Sequence, residues 1–254
     1  MLSHGDGGER PVRTIILSDI HGNLEAFEAM RVAAEERGVG RWIFLGDVVG
    51  YGADPQACIA LMRHLGECSI MGNHDAAVAG QENLAYFNEF AREAVQWTKS
   101  RLSKEDVDYL GSMPLTLQSG DDLFVHAEPS DPRAWNYVHD AGDADEALNA
   151  TTARCCFVGH THCAFACCRD GTRSEVVRPQ HGVVHRRADR RYLVNVGSVG
   201  QPRDGDPRAC GVVVDEERDL FEFLRIEYDI ATAQSKIEGA GLPSFLAERL
   251  QFGR

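Results

Sequence analysis

Three apolar segments in the first 75 residues each run into a short loop rich in Gly, Asp, Asn and His. Strands are predicted at 12–17, 42–45 and 68–71, and helices at 24–37 and 55–65. Such strand–loop–helix alternation indicates a largely parallel sheet with crossover helices. In sheets of this kind ligands bind at the carboxyl ends of the strands. Each strand here ends at polar residues, which predicts a functional site at this edge.

The rest of the chain adds a helical stretch and a β-rich second half. Residues 82–110 read as helix, and 230–250 as helix interrupted at 239–243; strand candidates are 115–118, 123–126, 155–159, 163–169, 192–196, 210–214 and 220–226. Asp170-Gly171 is a hairpin signal. We predict an α/β fold, a four-layer α-β-β-α sandwich of two mixed β-sheets packed face to face with helices outside. It would form a single domain, 1–254, with 1–11 as a flexible N-terminal tail.

Charge and hydropathy exclude several classes of protein. The formal net charge is −13, which argues against an extended nucleic-acid surface. The N-terminal stretch has no apolar run typical of a signal peptide, and no later segment reaches the roughly 18 apolar residues of a membrane span. We therefore expect a cytoplasmic protein with no membrane partner.

The eight cysteines do not have the spacing of a disulfide framework or a zinc ribbon. Without an export signal, reduced thiols are expected. Cys155 and Cys156 lie in an apolar run and are predicted to be small buried hydrophobic residues. The alternative is a thiolate metal site that uses Cys163 and Cys167.

Five short motifs lie where a predicted strand meets a loop, and they hold five of the ten histidines. In chain order they are Asp19-Ile20-His21, Gly46-Asp47-Val48-Val49-Gly50, Gly72-Asn73-His74-Asp75, Val125-His126 and Gly159-His160-Thr161-His162. Imidazole with oxygen ligands suits borderline metals. Asp19 and His21 are two residues apart, as are His160 and His162, so in extended backbone each pair would point to one side and hold one cation.

These motifs, in this order, resemble the signature of the calcineurin-like metallophosphoesterase family. Two further segments, Ser18 to Ala26 and Asn195 to Arg203, are similar to its small bacterial and archaeal phosphodiesterase-like branch. The resemblance implies a dinuclear site. Asp19, His21 and His162 would hold the first metal, Asp47 would bridge both, and Asn73, His126 and His160 would hold the second.

The resemblance also implies a mechanism, in which a metal-bridging hydroxide attacks phosphorus. His74 would protonate or hydrogen-bond the leaving oxygen, with Asp75 as its orienting partner. Asn23 and Arg203 are predicted to contact the substrate. Two divalent cations against the carboxylates of Asp19 and Asp47 would make the site locally cationic, as a phosphate ester requires.

Several of these residues have a simpler reading. Asn23 could form an Asx-type turn, and Arg203 could pair with the adjacent Asp204. Trp135 and Tyr137 could stack on a flat leaving group, although packing is the commoner role of aromatic side chains. Glu128 would either reduce the positive potential or support a ligand.

The resemblance implies a metal-dependent phosphoric ester hydrolase whose partner is a small phosphorylated substrate. A phosphodiester or a nucleotide-type phosphate ester or anhydride is the leading prediction. The alternatives are a phosphomonoesterase or protein phosphatase and a non-catalytic interaction scaffold, and the acidic balance disfavours a nuclease. Two divalent or trivalent transition metal ions are expected, with manganese favoured over iron, zinc, nickel or magnesium.

Overall fold

The computed structural model describes residues 13–66, 68–179 and 181–254, so the predicted tail lies outside the described residues. The strands are β1 Arg13–Leu17, β2 Val39–Phe44, β3 Cys68–Ser69, β4 Thr116–Ser119, β5 Asp122–Val125, β6 Cys155–Val158, β7 Phe165–Asp170, β8 Arg173–Val177, β9 Val183–His185, β10 Arg191–Asn195, β11 Ala209–Asp215 and β12 Leu220–Ile226. The α-helices are α1 Leu24–Glu36, α2 Pro55–Leu65, α3 Asn73–Val78, α4 Glu89–Arg101, α5 Lys104–Ser112, α6 Ala141–Asn149, α7 Ile230–Gly239 and α8 Ser244–Glu248. Leu84–Tyr86 and Arg249–Phe252 form 3-10 helices.

The strands form two six-stranded mixed sheets. Their orders are β3-β2-β1-β11-β12-β9 and β4-β5-β6-β10-β7-β8. In the first sheet β1, β2 and β3 run parallel, whereas β11 is antiparallel to β1. In the second, β5, β6 and β10 run parallel and β7 is antiparallel to β10. The parallel strands of each sheet therefore end at one edge.

Alternating side chains show how the layers stack. Ile16 of β1 packs into the cluster that also holds Phe157 of β6, between the two sheets. Its neighbours Ile15 and Leu17 face the other way, into a cluster with residues of α1 and α2. Val158 of β6 likewise joins a cluster with residues of α6. Because successive strand residues point to opposite faces, this pattern places a helical layer outside each sheet. The predicted four-layer sandwich is confirmed.

The structure adds elements that the sequence patterns did not predict. Residues 73–78 form the short helix α3, and the predicted helical region 82–110 divides into a 3-10 turn, α4 and α5. Helix α6 was also missed; the side chain of Asp140 caps it by accepting from the backbone N–H groups of Gly142 and Asp143. Within the part of the chain that the structure describes, no helix has the length and apolarity to cross a membrane.

The cysteines are free thiols in the structure. Cys155 and Cys156 are fully buried in β6, and burial raises the pKa of each thiol to about 12. Both therefore serve as small core residues, as predicted. Within the described ranges, the side-chain groups arranged to hold a metal ion contain no cysteine.

Candidate metal centre

The seven predicted ligands lie together at the edge where the parallel strands of both sheets end. Asp19, His21, Asp47 and Asn73 follow β1, β2 and β3 of the first sheet, and His126, His160 and His162 follow β5 and β6 of the second. Asp19, His21, Asp47 and His126 are almost completely buried. Both sheets therefore contribute side chains to a site at this edge.

Asp19, His21 and His162 form one cluster. The Nε2 atom of His162 lies 3.1 Å from Oδ1 of Asp19, and that of His21 lies 3.6 Å from the same oxygen. The two Nε2 atoms are 3.2 Å apart. These atoms converge closely enough to contact one cation.

A second cluster gathers around His126. Its Nε2 atom lies 3.2 Å from Oδ1 of Asn73, 3.1 Å from Nδ1 of His160 and 3.4 Å from Oδ2 of Asp47. The same oxygen of Asp47 is 3.8 Å from Nε2 of His21, which belongs to the first cluster. Asp47 therefore lies between the two clusters.

The outer atoms of these side chains are fixed by the backbone. Oδ2 of Asp19 accepts from the N–H of His160 at 3.0 Å, and Oδ1 of Asp47 accepts from the N–H of His74 at 2.8 Å. The Nδ1 atoms of three histidines contact carbonyl oxygens: His21 with Val49 at 3.0 Å, His126 with Leu45 at 2.7 Å and His162 with Gln201 at 2.6 Å. A carbonyl only accepts, so each Nδ1 carries a proton, and in the neutral ring Nε2 then presents a lone pair inward.

The inward atoms of the first cluster show whether a cation fits there. With both Nδ1 atoms protonated, the Nε2 atoms of His21 and His162 face each other as acceptors. Oδ1 of Asp19 is buried without a hydrogen-bond partner. A shared divalent cation would satisfy this donor set, because neutral imidazole and carboxylate are its ordinary ligands.

Burial and mutual charge set the protonation of the clusters. Burial favours the neutral acids of Asp19 and Asp47, but the facing histidines outweigh it and lower the pKa of both carboxyls. Burial lowers the pKa of His160 to about 3 and that of His162 to about 4. At His126 burial acts in the same direction, but Asp47 overcomes it and raises the pKa to about 9. Both carboxylates are thus ionised, as metal binding requires.

The local backbone of the ligands differs from our prediction. We expected the Asp-x-His and His-x-His pairs in extended backbone, but Asp19, His21, His160 and His162 all have φ between 51° and 65°. Asp47 is left-handed as well, with φ of 54°. These residues lie just beyond the last strand residue, where tight turns rather than pleating aim the side chains. The extended-backbone prediction was wrong for that reason.

Glycine is required where the loops cross. A β-carbon on Gly159 would lie 2.0 Å from Oγ of Ser18 and 2.7 Å from Oδ2 of Asp19. One on Gly72 would lie 2.1 Å from Oδ1 of Asp47. Both glycines therefore allow ligand loops from different strands to approach closely.

His74 lines the cavity beside the clusters, where it also forms with His21 and Asp47 a group close enough to hold a cation. Its ring centroid is 4.9 Å from that of His21 and 4.5 Å from that of Tyr51, and Phe87 meets it edge-on at 5.3 Å. Its Nδ1 atom is buried without a hydrogen-bond partner. Burial lowers the pKa of His74, with the charge of Asp47 acting in the opposite direction.

Asp75 does not hydrogen-bond to the ring of His74, contrary to our prediction. Its Oδ2 accepts from the N–H groups of Asp47 at 2.7 Å and Gly72 at 3.1 Å. Consecutive residues at the start of α3 point about 100° apart, so the two side chains diverge. Burial raises the pKa of Asp75 to about 8, aided by the charge of Asp47. Asp75 instead fixes the backbone that carries Asp47.

Asn23 also differs from its predicted role at the substrate. It caps α1, its Oδ1 accepting from the N–H of Ala26 at 3.1 Å, while Nδ2 donates to the carbonyl of Gly200 at 2.9 Å. Both ends of the buried amide are therefore committed to the protein. The Asx-type reading fits these contacts.

A cavity of about 410 Å³ opens above the clusters, a size typical of small-ligand sites. It is lined by Asp47, Tyr51, Asn73, His74, Glu82, Tyr86, Phe87, Asn88, Ala91, Arg133, Ala134, Trp135, Tyr137, His160, His162 and Arg203. Tyr137 stacks on His160 with ring centroids 4.3 Å apart, and Nε1 of Trp135 donates to Glu82 at 3.0 Å. Both aromatic residues therefore pack in the wall and also face the cavity.

Arg203 lines the cavity and is not paired with Asp204. The carboxylate of Asp204 contacts Arg225 instead, with Nη1 at 3.1 Å. Glu128, whose role the sequence left open, accepts from the N–H of Ser130 at 2.8 Å and from its hydroxyl. Glu128 thus shapes its own loop rather than supporting a ligand.

Sequence reasoning missed Tyr51, Phe87 and Arg133 as cavity residues. Tyr51 directly follows the motif that contains Asp47, and a left-handed backbone, φ 59°, turns its ring into the site. Phe87 and Arg133 lie in loops without a recognisable motif. Their position depends on tertiary packing alone.

Comparison with known proteins identifies the family. The model of the calcineurin-like phosphoesterase superfamily domain matches residues 12–219. This chain belongs to the calcineurin-like phosphoesterase superfamily. An uncharacterised protein of Methanocaldococcus jannaschii is 39% identical over 243 residues, which cover 94% of this chain and 97% of that protein.

Two solved structures extend the comparison. A metallophosphoesterase from Sphaerobacter thermophilus superposes with a TM-score of 0.84 at 38% identity, covering 96% of this chain and 100% of the other. A hypothetical protein from Pyrococcus horikoshii superposes with a TM-score of 0.75 at 18% identity, covering 96% of this chain and 99% of the other. This likeness supports the fold alone. The family is metal-dependent, and the two side-chain clusters provide candidate metal-binding residues.

Proposed function

We propose that this protein is a dinuclear-metal phosphoesterase that hydrolyses a phosphodiester or a nucleotide-type phosphate ester or anhydride. The observation that carries the proposal is the pair of ligand clusters, joined by Asp47, on the floor of a cavity of about 410 Å³. In the first cluster Oδ1 of Asp19 is buried without a hydrogen-bond partner, and Oδ2 of Asp47 lies near a histidine of each cluster. The family supports phosphoric ester hydrolysis as the reaction class.

The residues divide into two metal-binding sets. Asp19, His21 and His162 would hold one ion, and Asn73, His126 and His160 the other, with Asp47 shared. When bound, two divalent ions would lower the pKa of a water and offset negative charge on the phosphoryl oxygens. The two carboxylates would hold the ions without rearranging, because backbone N–H groups already fix them in place.

His74 is assigned to the leaving oxygen. It lines the cavity, and Tyr51 and Phe87 hold its ring. A ring N–H of His74 would donate a hydrogen bond or a proton to the departing oxygen. Arg203 would bind an anionic oxygen of the substrate, since it lines the same cavity and Asp204 is paired elsewhere.

The test combines elemental analysis with hydrolysis of bis-p-nitrophenyl phosphate and p-nitrophenyl phosphate by Mn²⁺-loaded protein. We expect about two metals per chain and metal-dependent turnover, with the diester preferred. Preference for the monoester would favour a phosphomonoesterase. Two bound metals without turnover of either ester would overturn the proposal and favour an interaction scaffold.

A further inference from the structure

Two arginines share a single amide oxygen at one side of the cavity. Nη2 of Arg203 donates to Oε1 of Gln201 at 2.8 Å, and Nη1 of Arg249 donates to the same oxygen at 3.1 Å. Gln201 is buried, so this contact is shielded from water. Arg249 comes from the C-terminal 3-10 helix, far along the sequence from the motifs.

Neither arginine forms an ion pair with an Asp or Glu side chain among the residues that the structure describes. The nearby acids are engaged elsewhere, Asp204 with Arg225 and Asp206 with Arg208. Nε of Arg203 is buried and unpartnered, while Nε of Arg249 donates to the backbone oxygen of Arg254. Neither guanidinium therefore contacts an acidic side chain, and Arg203 has no anionic partner among the described residues of a protein of net charge −13.

Close positive charges of this kind repel one another. Burial and the charge of Arg203 together lower the pKa of Arg249 to about 10. Such a pair costs stability unless an anion lies beside it. The cavity is the open side of the pair, because Arg203 lines it.

Tyr51 lies close both to Arg203 of the arginine pair and to His21 of the first metal cluster. Its ring centroid lies 4.6 Å from that of His21, 4.5 Å from that of His74 and 5.6 Å from Cζ of Arg203. Arg203 therefore adjoins the region assigned to the leaving group. An anion there would be a neighbour of the reacting phosphate.

We propose that Arg203 forms a second phosphate subsite, with Gln201 and Arg249 as its positioning residues, and that the preferred substrate carries two linked phosphoryl groups. This inference rests on the proposed function. Arg203 would contact the second phosphate directly. Arg249 would act through Gln201 and through its positive charge, which an incoming phosphate would offset.

A first experiment measures anion binding without metal or turnover. Thermal unfolding of the EDTA-treated full chain is followed as sodium sulfate replaces sodium chloride at constant ionic strength. Wild type should gain stability with sulfate, because a ligand that binds only the folded state raises its melting temperature. Arg249→Met should bind sulfate about tenfold more weakly, and Arg249→Lys should recover part of the loss.

Arg101→Met is the matched control. Like Arg249, Arg101 lies over an aromatic ring. Its Cζ is 5.1 Å from the ring centroid of Trp97, and Cζ of Arg249 is 5.2 Å from the ring centroid of Phe245. It should keep the wild-type response to sulfate. A melting temperature lowered equally at every sulfate concentration in Arg249→Met would show a merely structural role. A wild type that does not respond to sulfate would overturn the subsite.

A second experiment compares two substrates of the Mn²⁺-loaded enzyme that differ by one phosphate. They are the p-nitrophenyl esters of thymidine 5′-monophosphate and thymidine 5′-diphosphate. Wild type should prefer the diphosphate, and Arg249→Met should reduce that preference about tenfold, mainly through KM. If Arg249→Met lowered kcat/KM equally for both esters, the arginine pair would act on the reacting phosphate and the inference would be overturned.

The outcomes separate the subsite from the proposed function. Hydrolysis of the monophosphate ester without preference for the diphosphate refutes the subsite and leaves the phosphoesterase intact. With two metals bound, no hydrolysis of either ester refutes the phosphoesterase. The sulfate measurement still decides the subsite in that case, since it needs no turnover.

Discussion

At the scale of single residues, the candidate site concentrates unfavourable backbone conformations. Asp19, His21, Asp47, His160 and His162 all lie in the left-handed region. For residues other than glycine this conformation costs about 1–2 kcal/mol each. Contacts between loops hold it in place: the N–H of Asp19 donates to Gly46 and that of His21 to Asp47. Such strain is typical of positions where geometry matters more than local stability.

His74→Ala tests the assignment of a single side chain. We expect a loss of about 10²–10⁴-fold in kcat, the usual size of a general acid's contribution, with metal content unchanged. Steady-state kinetics with bis-p-nitrophenyl phosphate and elemental analysis of the same preparation provide the measurement. His64→Ala, an exposed histidine at the end of α2, serves as the control. Loss of metal from His74→Ala would instead make His74 a ligand.

At the scale of elements, strand ends and short motifs could be predicted because their signals are local. The limits of α2 were predicted correctly, and all seven proposed ligands lie at the predicted strand ends. The direction of the Asp75 carboxylate could not be predicted, since it depends on the turn before α3. The contact of Arg249 with Gln201 could not be predicted either. It joins residues 48 positions apart through packing of the C-terminal helices.

The loop 128–137 provides a test at the level of an element. Glu128 accepts two hydrogen bonds from Ser130, and the same loop carries Arg133, Trp135 and Tyr137 into the cavity wall. Hydrogen bonds to a charged group contribute about 1.5–3 kcal/mol, so Glu128→Ala should loosen the loop. We expect faster tryptic cleavage after the exposed Arg133 and a raised KM with a smaller change in kcat.

Glu146→Ala is the control for this experiment, because Glu146 is an exposed residue of α6. It should leave both the cleavage rate and KM at wild-type values. Cleavage of Glu128→Ala at the wild-type rate would show that contacts other than those to Ser130 fix the loop. The hydrogen bond from Trp135 to Glu82 would then be the next contact to test as the one that holds the loop.

At the scale of the whole molecule, the candidate ligands connect the two sheets. Asp19 and His21 follow a strand of the first sheet, whereas His162 follows a strand of the second. Asn73 is likewise supplied by the first sheet, and His126 and His160 by the second. Each proposed ion would therefore bind both layers of the sandwich at one edge. Metal binding should then stabilise the fold as a whole and not only its loops.

Thermal unfolding with and without Mn²⁺ tests this coupling. An ion present at 100 times its Kd adds about 2.7 kcal/mol, which in a domain of 150–250 residues raises Tm by roughly 5–10 °C. EDTA should reverse the increase. His126→Ala should reduce it, because His126 contacts three other ligands of its cluster, whereas His185→Ala, an exposed residue of β9, should not. An increase that survives His126→Ala would place the stabilising ion elsewhere on the protein.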